Sequence, residues 1–175
     1  PGGCGGGDTE TTVAKPAPNP PAATTPWFEE VSGPAGIDFT WNSGHGERFL
    51  MPEIIGGGVA MLDIDGDGDL DLYFVQGGDI RDALGTPATN DMGNQLYRND
   101  GNWTFTNISD GSGADDHGYG QGVATGDFDN DGDLDLYVTN VGANTLLRNE
   151  GDGHFVDVSK ASGTGHPGWG ASAAF

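Results

Sequence analysis

The sequence predicts an all-β chain assembled from four-stranded antiparallel units, and three observations predict it. Long blocks recur, each block alternates short apolar runs with Gly, Asn and Asp, and no stretch carries the 3.6-residue periodicity of an amphipathic helix. The 175 residues include 33 glycines, enough for many tight turns, and 34% hydrophobic residues, enough for a core. Charge is lopsided, with 27 acidic against 6 basic residues and a formal net charge of -21. Nucleic acid and anionic membrane surfaces are therefore poor partners, no nucleic-acid partner is expected, and cations are favoured. No apolar run approaches the length that spans a bilayer.

Residues 1–26 are rich in Gly, Pro and Thr with almost nothing to bury, which predicts a linker or tether ahead of a folded region at 27–175. The single cysteine, Cys4, lies in this arm, so no internal disulfide forms. Its Gly-Cys-Gly setting before a spacer resembles the lipid-bearing start of bacterial lipoproteins, with Pro1 where a leucine is usual. A membrane tether through Cys4, a bond to a partner and an inert thiol are the three readings of it.

From Trp27 the chain repeats. The stretch DIDGDGDLD (63–71) recurs as DFDNDGDLD (127–135), each preceded by a glycine-rich approach, GGGVAML (56–62) and GQGVATG (120–126). The run LDLYFVQ (70–76) recurs as LDLYVTN (134–140), and NQLYRNDGNWTFTNIS (94–109) as NTLLRNEGDGHFVDVS (144–159). A third partial copy, FEEVSGPAG (28–36), matches FTNISDGSG (105–113) and FVDVSKASG (155–163). Strands are expected at 57–62, 70–76, 94–99 and 103–109, then at 121–126, 134–140, 144–149 and 154–159. Four short strands in a unit of about 50 residues are the blade of a β-propeller. Residues 77–93 form an insertion that the second unit lacks, a candidate contact loop. Finally, GWGASAAF (168–175) matches GYGQGVAT (118–125), the start of a further copy. The chain is therefore expected to be the N-terminal part of a longer propeller, or to close a ring with other copies.

The acidic stretches between the first and second strand of each unit set an electrostatic problem. Asp63, Asp65, Asp67, Asp69 and Asp71 crowd into one turn without a basic residue, as do Asp127, Asp129, Asp131, Asp133 and Asp135 with only Phe128, Asn130, Gly132 and Leu134 between them. Unit charges about 5 Å apart repel by roughly 3 kcal/mol at an effective dielectric of about 20. Counting Asp63 as position 1, carboxylates fall at 1, 3, 5 and 9 and glycine at 6 (Gly68, Gly132), a spacing that supplies Ca²⁺ with alternate side chains and the carbonyl of residue 7. Two calcium sites are expected. Mg²⁺ fits such an all-protein cage less well, and no Cys or His adjoins to suggest zinc. Position 12, which closes an EF-hand with glutamate, is Phe74 or Val138 here, so Asp71 or Asp135 must close the loop before a strand.

The pattern DxDxDGxxD, with its GxGVAxxD approach and its LDLY and RN-x-G continuations, resembles the FG-GAP/VCBS repeats of integrin α chains and of ASPIC/UnbV-type proteins related to cartilage acidic protein. The resemblance covers about residues 27–175. It implies a seven-bladed propeller in which the carboxylates at positions 1, 3, 5 and 9 of each loop, with the carbonyls of Asp69 and Asp133, bind calcium. It also implies an exported module that binds protein or glycan, mediates adhesion or builds an assembly. The alternatives are a lyase or dehydratase acting on sugars, and an accessory subunit or filament protomer docked through the proline-rich arm.

Other residues carry less. His117 beside Asp115 and Asp116 has the chemistry of a general base but reads as loop lining, and no catalytic residue is assigned. Arg98 and Arg148, at matched places, are expected to pair with a carboxylate in their own blade. Trp103, Phe105, Phe155 and Trp169 are expected in the core, with Trp27 and Trp41 less constrained. Asn102 and Asn107 begin N-glycosylation acceptor patterns.

Overall fold

The computed structural model describes residues 26–46, 49–80 and 92–175. The Cys4 tether, nearly all of the arm, and residues 81–91 of the insertion lie outside the described residues. The chain divides into two compact units, Pro1–Glu30 and Val31–Phe175.

The second unit holds two four-stranded antiparallel sheets, each a meander in chain order. The first blade comprises β1 (Val59–Leu62), β2 (Asp71–Phe74), β3 (Gln95–Asn99) and β4 (Phe105–Asn107). The second comprises β5 (Tyr119–Gly126), β6 (Asp135–Val141), β7 (Thr145–Asn149) and β8 (Phe155–Asp157). All eight expected strands form. β5 starts earlier than expected because it continues past a bulge between Gly120 and Gly122. Among the described residues two complete helical turns, α1 (Met51–Ile55) and α2 (Ser159–Ser162), interrupt the all-β pattern; both are too short to leave a periodic signature.

Alternation along the strands decides which faces meet. Leu62, Ile64, Tyr73, Val75 and Leu96 of the first blade bury against Leu136, Val138, Leu147 and Phe155 of the second. Each such side chain contributes about 2 kcal/mol of burial free energy. The other face of the first blade is covered by Ala35, Ile37 and Phe39, the last stacked on Phe74 at 4.7 Å.

Polar locks recur with the sheets. Tyr73 donates its hydroxyl to the Ala114 carbonyl at 2.8 Å and accepts from Asn94 Nδ2 at 2.8 Å. Tyr137 does the same with Thr164 and Asn144, at 2.9 and 3.0 Å. At the inter-repeat seam, Phe105 N–H donates to Ala35 O and Phe155 N–H to Ser112 O, both at 2.7 Å. Ala35 and Ser112 hold the same place in the partial copies. The following residue must be glycine: at Gly36 and Gly113 the backbone is left-handed, and a methyl would lie 2.4 Å from Phe105 O or 2.1 Å from Phe155 O.

Two aromatic expectations are corrected. Phe105 and Phe155 are in the core, but Trp103 is 82% exposed and Trp169 48% exposed. Trp103 sits with Asn102 in a left-handed turn between β3 and β4, with its indole in solvent. Trp169 bridges Val141 at the end of β6 and donates its indole N–H to Gln121 Oε1 at 3.3 Å.

Candidate metal centre

Each acidic stretch joins the first and second strands of its blade, and strand pairing places its two ends opposite one another: Leu62 pairs with Asp71, and Gly126 with Asp135. Between these anchors the turn winds on its own carboxylates. Asp63 accepts from Gly66 N–H at 2.9 Å with one oxygen and from Gly68 N–H at 3.0 Å with the other. Asp127 accepts from Asp131 and Gly132 N–H, both at 3.1 Å. Asp67 and Asp131 each take the N–H two residues on, at 2.8 and 3.0 Å. These are local Asx-type bonds that bend the chain inward.

The bend brings three carboxylates of each loop together. Asp63, Asp65 and Asp71 offer oxygens within 4.8 Å of one another, and so do Asp127, Asp129 and Asp135. Asp67 and Asp131 lie outside these triplets, one oxygen already used by the turn. Asp69 and Asp133 turn their side chains toward the β3–β4 and β7–β8 turns, where a methyl on Gly151 would meet Asp133 Oδ2 at 2.6 Å. Of the expected ligand side chains, the structure thus gathers positions 1, 3 and 9.

The closing residues differ from the others in burial. Asp71 is 1% exposed and Asp135 0%. Each accepts two backbone N–H groups: Asp71 from Ile64 at 2.9 Å and Asn99 at 2.7 Å, Asp135 from Phe128 and Asn149, both at 2.9 Å. Burial pushes both carboxyls above the usual value of 3.8, against the pull of those donors, and neighbouring aspartates push the same way. Asp65 Oδ1 is buried without a hydrogen-bond partner. In the first loop a carboxylate triplet with a buried orphan oxygen, and in each loop one closing acid destabilised as an anion, fit a cation with oxygen preference.

Sequence reading missed Asn99 and Asn149, which hold the closing acids; their signal was recurrence at matched places in RN-x-G. Arg98 and Arg148 pair with Asp100 at 2.7 Å and Glu150 at 2.5 Å, each within its own blade and half in solvent. Such pairs contribute little to stability. His117 lies 3.5 Å from Asp115, with both side chains about half exposed.

A family model for the FG-GAP-like repeat matches residues 63–138 and again 129–175. No curated protein matches the chain.

Proposed function

Because the chain belongs to the FG-GAP-like repeat family, we infer that it is a calcium-pinned propeller module working outside the cytoplasm, where it presents its blade rims to a protein or glycan. The observation that carries this reading is the pair of carboxylate triplets within 4.8 Å, each closed by a fully buried aspartate. Asp63, Asp65 and Asp71 would hold one ion and Asp127, Asp129 and Asp135 the other; Asp67 and Asp131, which lie outside the triplets, and the carbonyls of Asp69 and Asp133 would complete the two sets. When bound, the ion supplies positive charge that offsets the repulsion within each cluster.

The chain's own residues do the rest. Asp71 ties β2 to β3 through Asn99, and Asp135 ties β6 to β7 through Asn149, so a filled loop stiffens three strands of its blade at once. Extracellular calcium modules bind at about 10⁻⁴ to 10⁻³ M, which suits a structural pin where calcium is millimolar and leaves it empty in a cytoplasm. Among the described residues no helix is long and apolar enough to cross a membrane. The test is calorimetric titration of metal-free chain with calcium chloride and magnesium chloride. Two calcium ions bound per chain, with magnesium much weaker, is the expected result; no uptake at millimolar calcium sinks the reading.

A further inference from the structure

The two acidic loops are joined to each other. Ile64, between Asp63 and Asp65, is 1% exposed, and its backbone is committed on both sides. Its N–H donates to Asp71 Oδ2 at 2.9 Å, inside the first loop. Its carbonyl accepts from the other blade, from Asn149 Nδ2 at 3.0 Å and from Gly153 N–H at 3.1 Å. Asn149 is also 1% exposed, and its own N–H donates to Asp135 Oδ1 at 2.9 Å. An unbroken line of hydrogen bonds therefore runs Asp71, Ile64, Asn149, Asp135, from the buried closing acid of one loop to that of the other.

The line is held tightly. Asn149 Oδ1 accepts Gly151 N–H at 3.0 Å, which fixes the side-chain amide so that Nδ2 faces Ile64. A methyl on Gly153 would lie 3.3 Å from Ile64 Cδ1, so the seam leaves no slack beside it. Asn99, at the place of Asn149 in the first blade, behaves differently: its Nδ2 donates to Leu70 O at 3.1 Å, in its own blade's loop.

We propose that Asn149 is a positioning residue that couples the two cation sites, so that filling the 63–71 loop strengthens binding at the 127–135 loop, and conversely. This rests on the reading of both loops as calcium sites. An ion held by Asp63 and Asp65 fixes the residue between them. Ile64 then offers its carbonyl in one orientation, and Asn149 is fixed with it. Asp135 is thereby presented in its binding position before any ion reaches the second loop, and the ordering cost of that loop falls. Linkage makes the effect equal in both directions.

The experiment is calorimetric titration of the full chain with calcium chloride, for wild type, Asp65→Ala, Asn149→Ala and the double variant. Asp65→Ala should lose one ion and weaken the remaining site by about fivefold or more, a typical coupling. In the Asn149→Ala background the same replacement should leave the remaining site unchanged. Should Asn149→Ala not fold, Asn149→Ser, too short to reach Ile64, takes its place. A second readout uses Asp129→Ala, which retains only the first site: added calcium should slow hydrogen exchange at the Asn149 amide. Unchanged affinity in Asp65→Ala, a loss that persists without Asn149, or an unaffected Asn149 amide overturns the coupling alone. A wild-type chain that takes up no calcium overturns the calcium reading, and the coupling with it.

Discussion

Asn99 donates its backbone N–H to Asp71 Oδ1 at 2.7 Å across 28 residues of chain, so the closing acid of the first loop is also the pin between β2 and β3. Asp71→Ala removes the acceptor of both Asn99 and Ile64. Each orphaned buried donor costs about 1–3 kcal/mol. Urea unfolding should therefore show a loss of about 2–6 kcal/mol even in metal-free protein. Asp63→Ala, whose partners lie in the more open part of the turn, should cost about 1 kcal/mol or less without metal and mainly abolish the gain from calcium.

Acid should uncouple stability from calcium. Asp71 and Asp135 have folded values raised above 3.8 by burial. In metal-free protein their contribution favours the fold below that ordinary value and is lost as pH rises through the raised one. Calcium takes the charged form and competes with the proton, so its benefit weakens as pH falls. The melting temperature difference between metal-free samples with and without added calcium chloride should be large at pH 7 and shrink toward pH 4. A constant difference across that range would contradict the buried acids as ligands.

Alkali should act at a different place. Tyr97 donates its hydroxyl to Asp38 at 2.6 Å, and burial, the bond to Asp38 and the charge of Asp38 push it up to about 12. A raised folded value means that stability is full below the ordinary value of 10 and is lost as pH climbs to about 12. Tyr97→Phe should cost about 1 kcal/mol at pH 8, and the alkaline fall in stability should become shallower, read from urea midpoints between pH 8 and 12.

Two glycines separate conformation from contact. Gly113 and Gly163 hold the same place in successive repeats, with φ of +77° and +73°. A methyl on Gly113 would meet Phe155 O at 2.1 Å, whereas none of the described atoms lies within 4 Å of one on Gly163. Gly163→Ala should cost about 1 kcal/mol, the left-handed penalty alone. Gly113→Ala should cost clearly more, because the Phe155 bond to Ser112 must open; thermal unfolding of the two variants side by side measures the difference.

Much of this was readable in the sequence because the informative features occur twice. Strand positions followed from apolar runs such as LDLY bounded by Gly and Asp, and the acidic loops from alternate carboxylates around Gly68 and Gly132. Trp103 departs from the expectation because a large aromatic residue signals a core; its matched residue Gly153 shares the left-handed φ but is buried, with a methyl there 3.3 Å from Ile64 Cδ1, whereas Trp103 is 82% exposed. Asn94, Asn99, Asn144 and Asn149 were passed over because asparagine reads as a turn former. Asn94, Asn99 and Asn149 bond to residues 18 or more positions away, and Asn144 to Asn140 and Tyr137 on the preceding strand, which no local pattern encodes. The inward gathering of Asp65 with Asp63 and Asp71, and the exclusion of Asp69, depend on the path of the turn and needed coordinates.

The hydrogen bonds at Ala35 and Ser112 join main-chain atoms, and what they ask of composition is the glycine that follows. A joint of that kind ignores what each module carries elsewhere. Modules with unlike rims or unlike insertions can stand next to one another without redesigning the hinge between them. Novelty in this architecture can therefore accumulate at the loops while the connection from one module to the next stays the same.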